Sequence, residues 1–284
     1  MSGKGSERRK SIFITGAASG MGRATAELFA AKGWFIGAYD VNEEGLRSLG
    51  EELGADNCLV RILDVTDKAD FDLAVAEFGE RTGGTLDIMF NNAGIGQGGF
   101  FEDVPYELSM KVVEVNLKGV LNGLHASLPL LKKTPNSLCF STSSSSATHG
   151  IPQIAVYSAT KHAVKGLTEA LSIEFERHGV RVADTLPGLI DTAIIRETPN
   201  HSEGGMPADF DPDRDAPTKG MFRLMPADSV ANIVWRAYDK GDKIHYYVPP
   251  EIAWIDRLKV LAPMFVRNQI AKMMKETAER AKNR

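Results

Sequence analysis

Ile12-Phe13-Ile14-Thr15 runs into Gly16-Ala17-Ala18-Ser19-Gly20-Met21-Gly22, and then into Arg23-Ala24-Thr25-Ala26-Glu27-Leu28-Phe29-Ala30-Ala31-Lys32, closed by Gly33. The first four residues are apolar or β-branched and read as a buried strand. The next seven are small and glycine-rich, and the run after them has helical composition with Gly33 as its C-cap. A strand, a glycine turn and a helix N-terminus make an anion site. The turn lets backbone approach a pyrophosphate, and the helix dipole favours the negative charge. The spacing is G-x-x-x-G-x-G. G-x-G-x-x-G does not fit, because its third glycine falls on Thr25.

Working outward, short β-rich runs alternate with longer helical runs, the pattern of a parallel sheet covered on both faces. The expected strands are 12–15, 34–39, 59–63, 87–90, 137–141, 180–183 and 244–248. No repeat or low-complexity linker divides them, so one doubly wound domain over 10–250 is expected. The second strand ends in Asp40, eighteen residues beyond Gly22. An acid at about that offset accepts the adenosine ribose hydroxyls and repels a 2′-phosphate. Neither Val41 nor Asn42 supplies a cation, so the residues favour NAD over NADP.

Composition narrows the function classes. The chain has 284 residues, 43% hydrophobic and 25% charged, enough for a core without disulfides or metals. A net charge of −4 argues against a general nucleic-acid binder. Cys58 and Cys139 sit in apolar runs and read as reduced core thiols; the count excludes a zinc site. The six histidines lack metal-ligand spacing. Asp209, Asp211, Asp213 and Asp215 alternate like the start of a calcium loop, but Arg214 replaces the required glycine and Gly220 the bidentate acid. No run approaches the ~18 apolar residues of a membrane span. Met1 to Lys10 is polar and basic, reads as a frayed tail rather than a signal peptide, and makes cytoplasm the expected location.

Tyr157 and Lys161 are four apart in the helical run from Tyr157 to Arg177, so they share a face. A free phenol titrates near ~10, and an adjacent ammonium stabilises the phenolate and lowers that value. Tyrosine can then exchange a proton with an alcohol or carbonyl while hydride moves to or from nicotinamide.

Four motifs in order carry a family resemblance: the glycine turn, Asn91-Asn92-Ala93-Gly94, Tyr157-Ser158-Ala159-Thr160-Lys161, and Pro187-Gly188 followed by Thr192. Together they resemble the short-chain dehydrogenase/reductase family, from about Lys10 to Val248. The resemblance implies a Rossmann-type α/β fold with a parallel sheet of about seven strands. It implies a catalytic set of Asn116, Ser144, Tyr157 and Lys161. In that set Ser144 steadies the substrate oxygen, with Ser143 the alternative at that position. Asn116 holds a water that relays protons from the lysine. Implied cofactor contacts are Gly16, Ser19, Gly20, Met21, Gly22, Asp40, Asp64, Val65, Asn91, Asn92, Ala93, Gly94, Pro187, Gly188, Ile190 and Thr192, with Lys161 and Tyr157 near the ribose. A homodimer or homotetramer is implied as well.

Two segments shape the substrate expectation. Residues 192–226 are rich in Gly and Pro and read as a lid. Leu189, Ile194, Ile195, Met221, Phe222, Leu224 and Met225 suggest an apolar pocket, and so a lipophilic secondary alcohol or ketone. His149, eight residues before Tyr157, is either a polar substrate contact or an ordinary loop histidine. Residues 251–284 read as an amphipathic helical extension, with Ile252, Ile255, Leu258, Leu261, Phe265, Ile270, Met273 and Met274 at helical intervals. From Arg257 onward it carries eight Lys/Arg and two Glu. It is expected to pack on the body or on a subunit partner, the other reading being a foot on an anionic membrane. The expected function is an NAD(H)-dependent oxidoreductase. The alternative is a non-catalytic NAD-binding sensor or scaffold. A sugar epimerase needs a larger C-terminal domain than follows Thr192.

Overall fold

The computed structural model describes residues 8–202, 214 and 216–282. Seven strands form one parallel sheet: β1 (Ser11–Thr15), β2 (Phe35–Asp40), β3 (Cys58–Ile62), β4 (Ile88–Asn91), β5 (Leu138–Thr142), β6 (Arg181–Pro187) and β7 (His245–Val248). Their order is β3-β2-β1-β4-β5-β6-β7. The chain therefore reverses its winding between β1 and β4, and a crevice opens there at the carboxyl ends of the strands.

Alternation along the strands divides the core in two. On one face Ile12, Ile14, Ile36, Ala38, Phe90 and Phe140 meet α1 (Gly20–Ala31) and α8 (Asp228–Asp239) through Phe29, Val230 and Val234. On the other, Phe13, Tyr39, Met89 and Cys139 meet α3 (Lys68–Arg81) through Phe71 and Phe78. They also meet α5 (Gly119–Leu131) and α6 (Ala155–Glu174) through Leu124 and Val164. Phe13 and Tyr39 stack at 3.8 Å between centroids. Cys58 and Cys139 are separate buried thiols, both pushed up to about 12 by burial.

The remaining helices are α2 (Glu43–Leu53), α4 (Tyr106–Val113), α7 (Ala193–Glu197), α9 (Ala253–Leu261) and α10 (Pro263–Lys282). A π-helical turn, Glu114–Lys118, joins α4 to α5. Such turns are rare and frequently sit at functional sites.

One expectation changes. The basic start of the chain is not frayed from Arg8 on. Arg8 donates to both carboxylate oxygens of Asp87 at 2.8 Å, and Arg9 donates to the carbonyls of Gly33, Trp34 and Asp56. These bonds tie the start of the chain to the N-terminal end of the sheet. In the C-terminal segment the expected helices form; Ile252 and Val266 are buried, while Leu258, Leu261 and Phe265 are 40, 83 and 54% exposed. Asp209, Asp211, Asp213 and Asp215 lie outside the described residues, while Ile190 pairs with Met225 and Gly98 with Asn200 across the base of the expected lid.

Candidate active site

The glycine turn follows β1 directly. Gly16 has φ +67°, open to glycine, and a Cβ there would sit 2.9 Å from Ala93 Cα. A Cβ on Gly22 would meet the Gly16 carbonyl oxygen at 2.0 Å, so the turn closes on itself only without side chains. Ser19 is the N-cap of α1, yet its hydroxyl makes no cap bond, and no acidic residue occupies the first turn. Met21, two residues on, is partly buried. Asp40 ends β2 beside the turn. Its carboxylate accepts the Ala18 N–H and the Asn42 N–H, each at 3.0 Å. A carboxylate has about four acceptor positions, so two bonds leave room for hydroxyl donors.

The end of β4 meets the turn from the other side. Asn92 Nδ2 donates to the carbonyls of Thr15 and Gly16, and its Oδ1 accepts from Thr142 Oγ1. The side chain implied as a cofactor contact is thus spent on joining β1, β4 and β5. Asn91 points the opposite way, as strand alternation requires, with its amide against Cys139 and its Oδ1 over Gly123. Ala93 donates its N–H to Thr15 Oγ1. A Cβ on Gly94 would lie 3.2 Å from Asn116 Oδ1 and 3.6 Å from Lys161 Nζ. Those distances place three of the expected site residues together.

Asn116 is fully buried on the π-helical turn. Its Oδ1 accepts the Ile95 N–H at 2.8 Å and its Nδ2 donates to the Ile95 carbonyl at 3.0 Å. The two bonds fasten the loop after β4 across twenty-one residues of sequence.

Beyond β5, two adjacent serines separate. Ser143 is 1% exposed and donates to the Lys161 carbonyl at 2.9 Å. Ser144 is extended, and its hydroxyl accepts the Ser146 N–H and bonds the Tyr157 phenol. Burial pushes the Tyr157 phenol above its ordinary value, and the Ser144 bond works against that rise. Lys161 is 4% exposed, donates to the Thr142 carbonyl at 2.8 Å, and is pushed down to about 8 by burial. Its Nζ stands 5.5 Å from the Tyr157 ring centroid. Burial is the larger influence on the phenol in this arrangement, and it acts in the direction opposite to the lowering expected from an adjacent ammonium.

The remaining expected residues border the same crevice. Pro187 ends β6, Gly188 donates its N–H to the Val248 carbonyl, Ile190 is buried, and Thr192 caps α7. A Cβ on Gly20 would touch Thr192 Cγ2 at 2.9 Å, which brings this segment over the glycine turn. At the other side, Asp64 is exposed and accepts the Thr66 N–H, while Val65 is buried and its carbonyl accepts from Asn122. His149 is buried, and Thr148 Oγ1 lies 2.9 Å from its Nδ1. Among the described residues no cluster of His, Cys, Asp or Glu could hold a metal ion.

A sequence profile described as "short chain dehydrogenase" matches residues 10–203. The chain belongs to the short-chain dehydrogenase family. Levodione reductase of Leifsonia aquatica is 35% identical over 66% of this chain and 72% of that protein. Cyclohexanol dehydrogenase of an Acinetobacter strain is 34% identical over 66% of this chain and 76% of its own length. Probable oxidoreductase EphD of Mycobacterium tuberculosis is 33% identical over 88% of this chain, which spans only 43% of that longer protein. Among solved structures, a short-chain dehydrogenase/reductase from Burkholderia phymatum in complex with NAD superposes with a TM-score of 0.76 at 26% identity, covering 90% of this chain and 95% of that one.

For this short-chain dehydrogenase the sequence reading missed residues that hold the site together. Thr15 and Thr142 knit the strand ends, and Ile95 receives Asn116. The signal for Thr15 was a hydroxyl at the end of an apolar run, while Thr142 lies one residue past the expected strand and carried none. Nothing marked Ile95, because it offers only its backbone.

Proposed function

We propose that this chain interconverts a secondary alcohol and a ketone with NAD(H). The observation that carries the reading is the convergence of Ser144, Tyr157, Lys161 and Asn116 beside the glycine turn. The residues fit a dinucleotide: a turn closed to side chains, an uncapped helix N-terminus for pyrophosphate, and Asp40 with acceptor positions to spare. Asp40 at the end of β2 also supports NAD over NADP, because its charge repels a 2′-phosphate. The nicotinamide, when bound, supplies or accepts the hydride.

The chain's own residues handle the proton and the orientation. Tyr157 gives its phenolic proton to a carbonyl oxygen or takes one from an alcohol, with Ser144 bonded to the same oxygen and steadying its charge. Lys161, buried and partly deprotonated near pH 8, supplies a short path for returning that proton. Asn116 keeps the loop after β4 at the distance that lets a water reach the lysine. Asn92 acts by fixing the turn.

Partly buried apolar residues around the base of the lid support a lipophilic substrate. Leu189, Ile194, Ile195, Met221, Phe222, Leu224 and Met225 are neither fully buried nor fully exposed, as pocket walls are, and Phe100 from the loop after β4 bonds Ser202 through its N–H. An apolar, ring-sized alcohol suits such walls. The names of two relatives, cyclohexanol dehydrogenase and 2,5-dichloro-2,5-cyclohexadiene-1,4-diol dehydrogenase, support an alicyclic substrate. The test is a panel of cyclic and linear alcohols and ketones with NAD+, NADH and their phosphorylated forms, followed by nicotinamide absorbance. Turnover of cyclic alcohols with NAD+ is expected. No turnover of any member, with NADH binding intact, overturns the catalytic reading in favour of a dinucleotide-binding sensor.

A further inference from the structure

Helix α9 is attached to the body by its polar side. Asp256 accepts Lys165 Nζ on both oxygens, at 2.9 and 2.7 Å, and the Tyr247 hydroxyl at 2.6 Å. Lys259 Nζ lies 3.4 Å from His162 Nε2. With the fully buried Ile252, these residues recur at i, i+4 and i+7 and form the inward stripe. Half a turn round, Trp254, Leu258 and Leu261 recur at the same interval and are 67, 40 and 83% exposed. Past the break at Ala262, Met264 and Phe265 continue the outward surface at 63 and 54%. A helix docked on a soluble domain ordinarily turns its apolar stripe inward. Here the arrangement is reversed, so the outward stripe is built for an apolar phase or partner.

Charge selects the occupant. Residues 257–284 carry a surplus of six positive charges, while the whole chain is −4, leaving −10 on the rest. A contact between copies in which this segment met its own equivalent would set positive on positive. An anionic lipid surface attracts the segment and repels the body, which fixes one orientation. Trp254, with Arg257 5.6 Å over its ring, has the amphipathic character suited to the headgroup level.

We propose that α9 and the start of α10 form a peripheral foot that seats the protein on an anionic bilayer. Trp254, Leu258, Leu261, Met264 and Phe265 enter the headgroup boundary, and Arg257 and Arg267 meet lipid phosphates. α9 is fastened to α6, so the foot is rigidly linked to the helix that carries Tyr157 and Lys161.

The experiment is co-sedimentation of the full chain with phosphatidylcholine vesicles, with and without phosphatidylserine. Binding is expected only to the anionic vesicles, with release at about 0.5 M salt, where the Debye length is short. Leu258→Glu/Leu261→Glu should lower vesicle partition at least about tenfold while melting temperature and oligomeric mass stay unchanged. Brominated lipid should quench the wild-type protein's fluorescence and lose that effect in Trp254→Phe, a readout that needs no charged substitution. Absence of binding to anionic vesicles overturns the proposal. So does a double variant that binds as tightly as wild type, or one whose oligomeric mass falls while its vesicle binding persists.

Discussion

Asp40 accepts the backbone N–H of Ala18 at 3.0 Å, so the acid at the end of β2 also holds the glycine turn after β1. One carboxylate thereby ties the two strands on one side of the crevice. Removing it should do two things at once. Asp40→Ala loses a charge-assisted bond to the turn and the charge that opposes a 2′-phosphate. The variant should bind NADH more weakly, and the ratio of kcat/KM for NAD+ to that for NADP+ should fall at least about tenfold, some 1.4 kcal/mol. A wild-type preference for NADP+ would refute the cofactor assignment.

Tyr157→Phe keeps the ring and its packing and removes only the group that Ser144 bonds. NADH affinity should stay within about twofold, while kcat falls by more than about a hundredfold, the lower range for a lost general acid. Fluorescence titration measures the first and steady-state turnover the second. A variant that keeps a tenth of the wild-type kcat removes Tyr157 from the acid/base role.

Lys161 separates function from stability. Burial pushes its ammonium down to about 8, so the folded protein holds that proton less tightly than the unfolded chain does. Where the unfolded state binds more protons, stability rises with pH. Wild type should therefore gain stability relative to Lys161→Met as pH climbs from about 8 towards the ordinary lysine value, and the gain should vanish below about 8. At neutral pH the variant should melt at the wild-type temperature or above it, because methionine buries no charge. Its turnover should nonetheless drop below a tenth. Melting curves of both proteins across that pH range carry the test, and a stability gap independent of pH would contradict it.

The sheet was legible in the sequence because its strands are apolar runs bounded by glycine, asparagine or serine, and the observed ends fall close to the expected ones. β6 is the exception. It continues to Pro187 through Asp184 and Thr185, past the expected end at Ala183. Asp184 is fully buried, and its charge is met by His245 on β7 at 2.7 Å, a partner sixty-one residues away. A polar residue whose partner is distant in the chain looks like a loop residue until the sheet is assembled. The serines show the same limit. Composition could not separate Ser143 from Ser144; the carbonyl of Lys161 does so by holding the former. The C-terminal helices were legible by period, but which stripe faces inward was not. That depends on where Lys165 and Tyr247 wait for Asp256.

Asn116 offers the sharpest distinction between a structural amide and a functional one. Its two bonds to Ile95 are buried, and breaking them strands a backbone N–H and a carbonyl. Each stranded group costs about 1–3 kcal/mol, so Asn116→Leu should lower stability by a few kcal/mol. Asn116→Asp keeps the acceptor for the Ile95 N–H and sets one oxygen against the Ile95 carbonyl. It should lose stability to a similar degree. The informative comparison lies in kinetics. If the amide acts only by holding the loop after β4, both variants should raise KM and lower kcat in proportion to their loss of stability. If it also orients a water for Lys161, kcat should fall further than stability predicts. The fall should then be accompanied by a solvent isotope effect on kcat larger than that of wild type, because proton return to Tyr157 becomes slow. A kcat that falls no further than the loss of stability predicts, with an isotope effect equal to that of wild type, would leave Asn116 a loop clasp and nothing more.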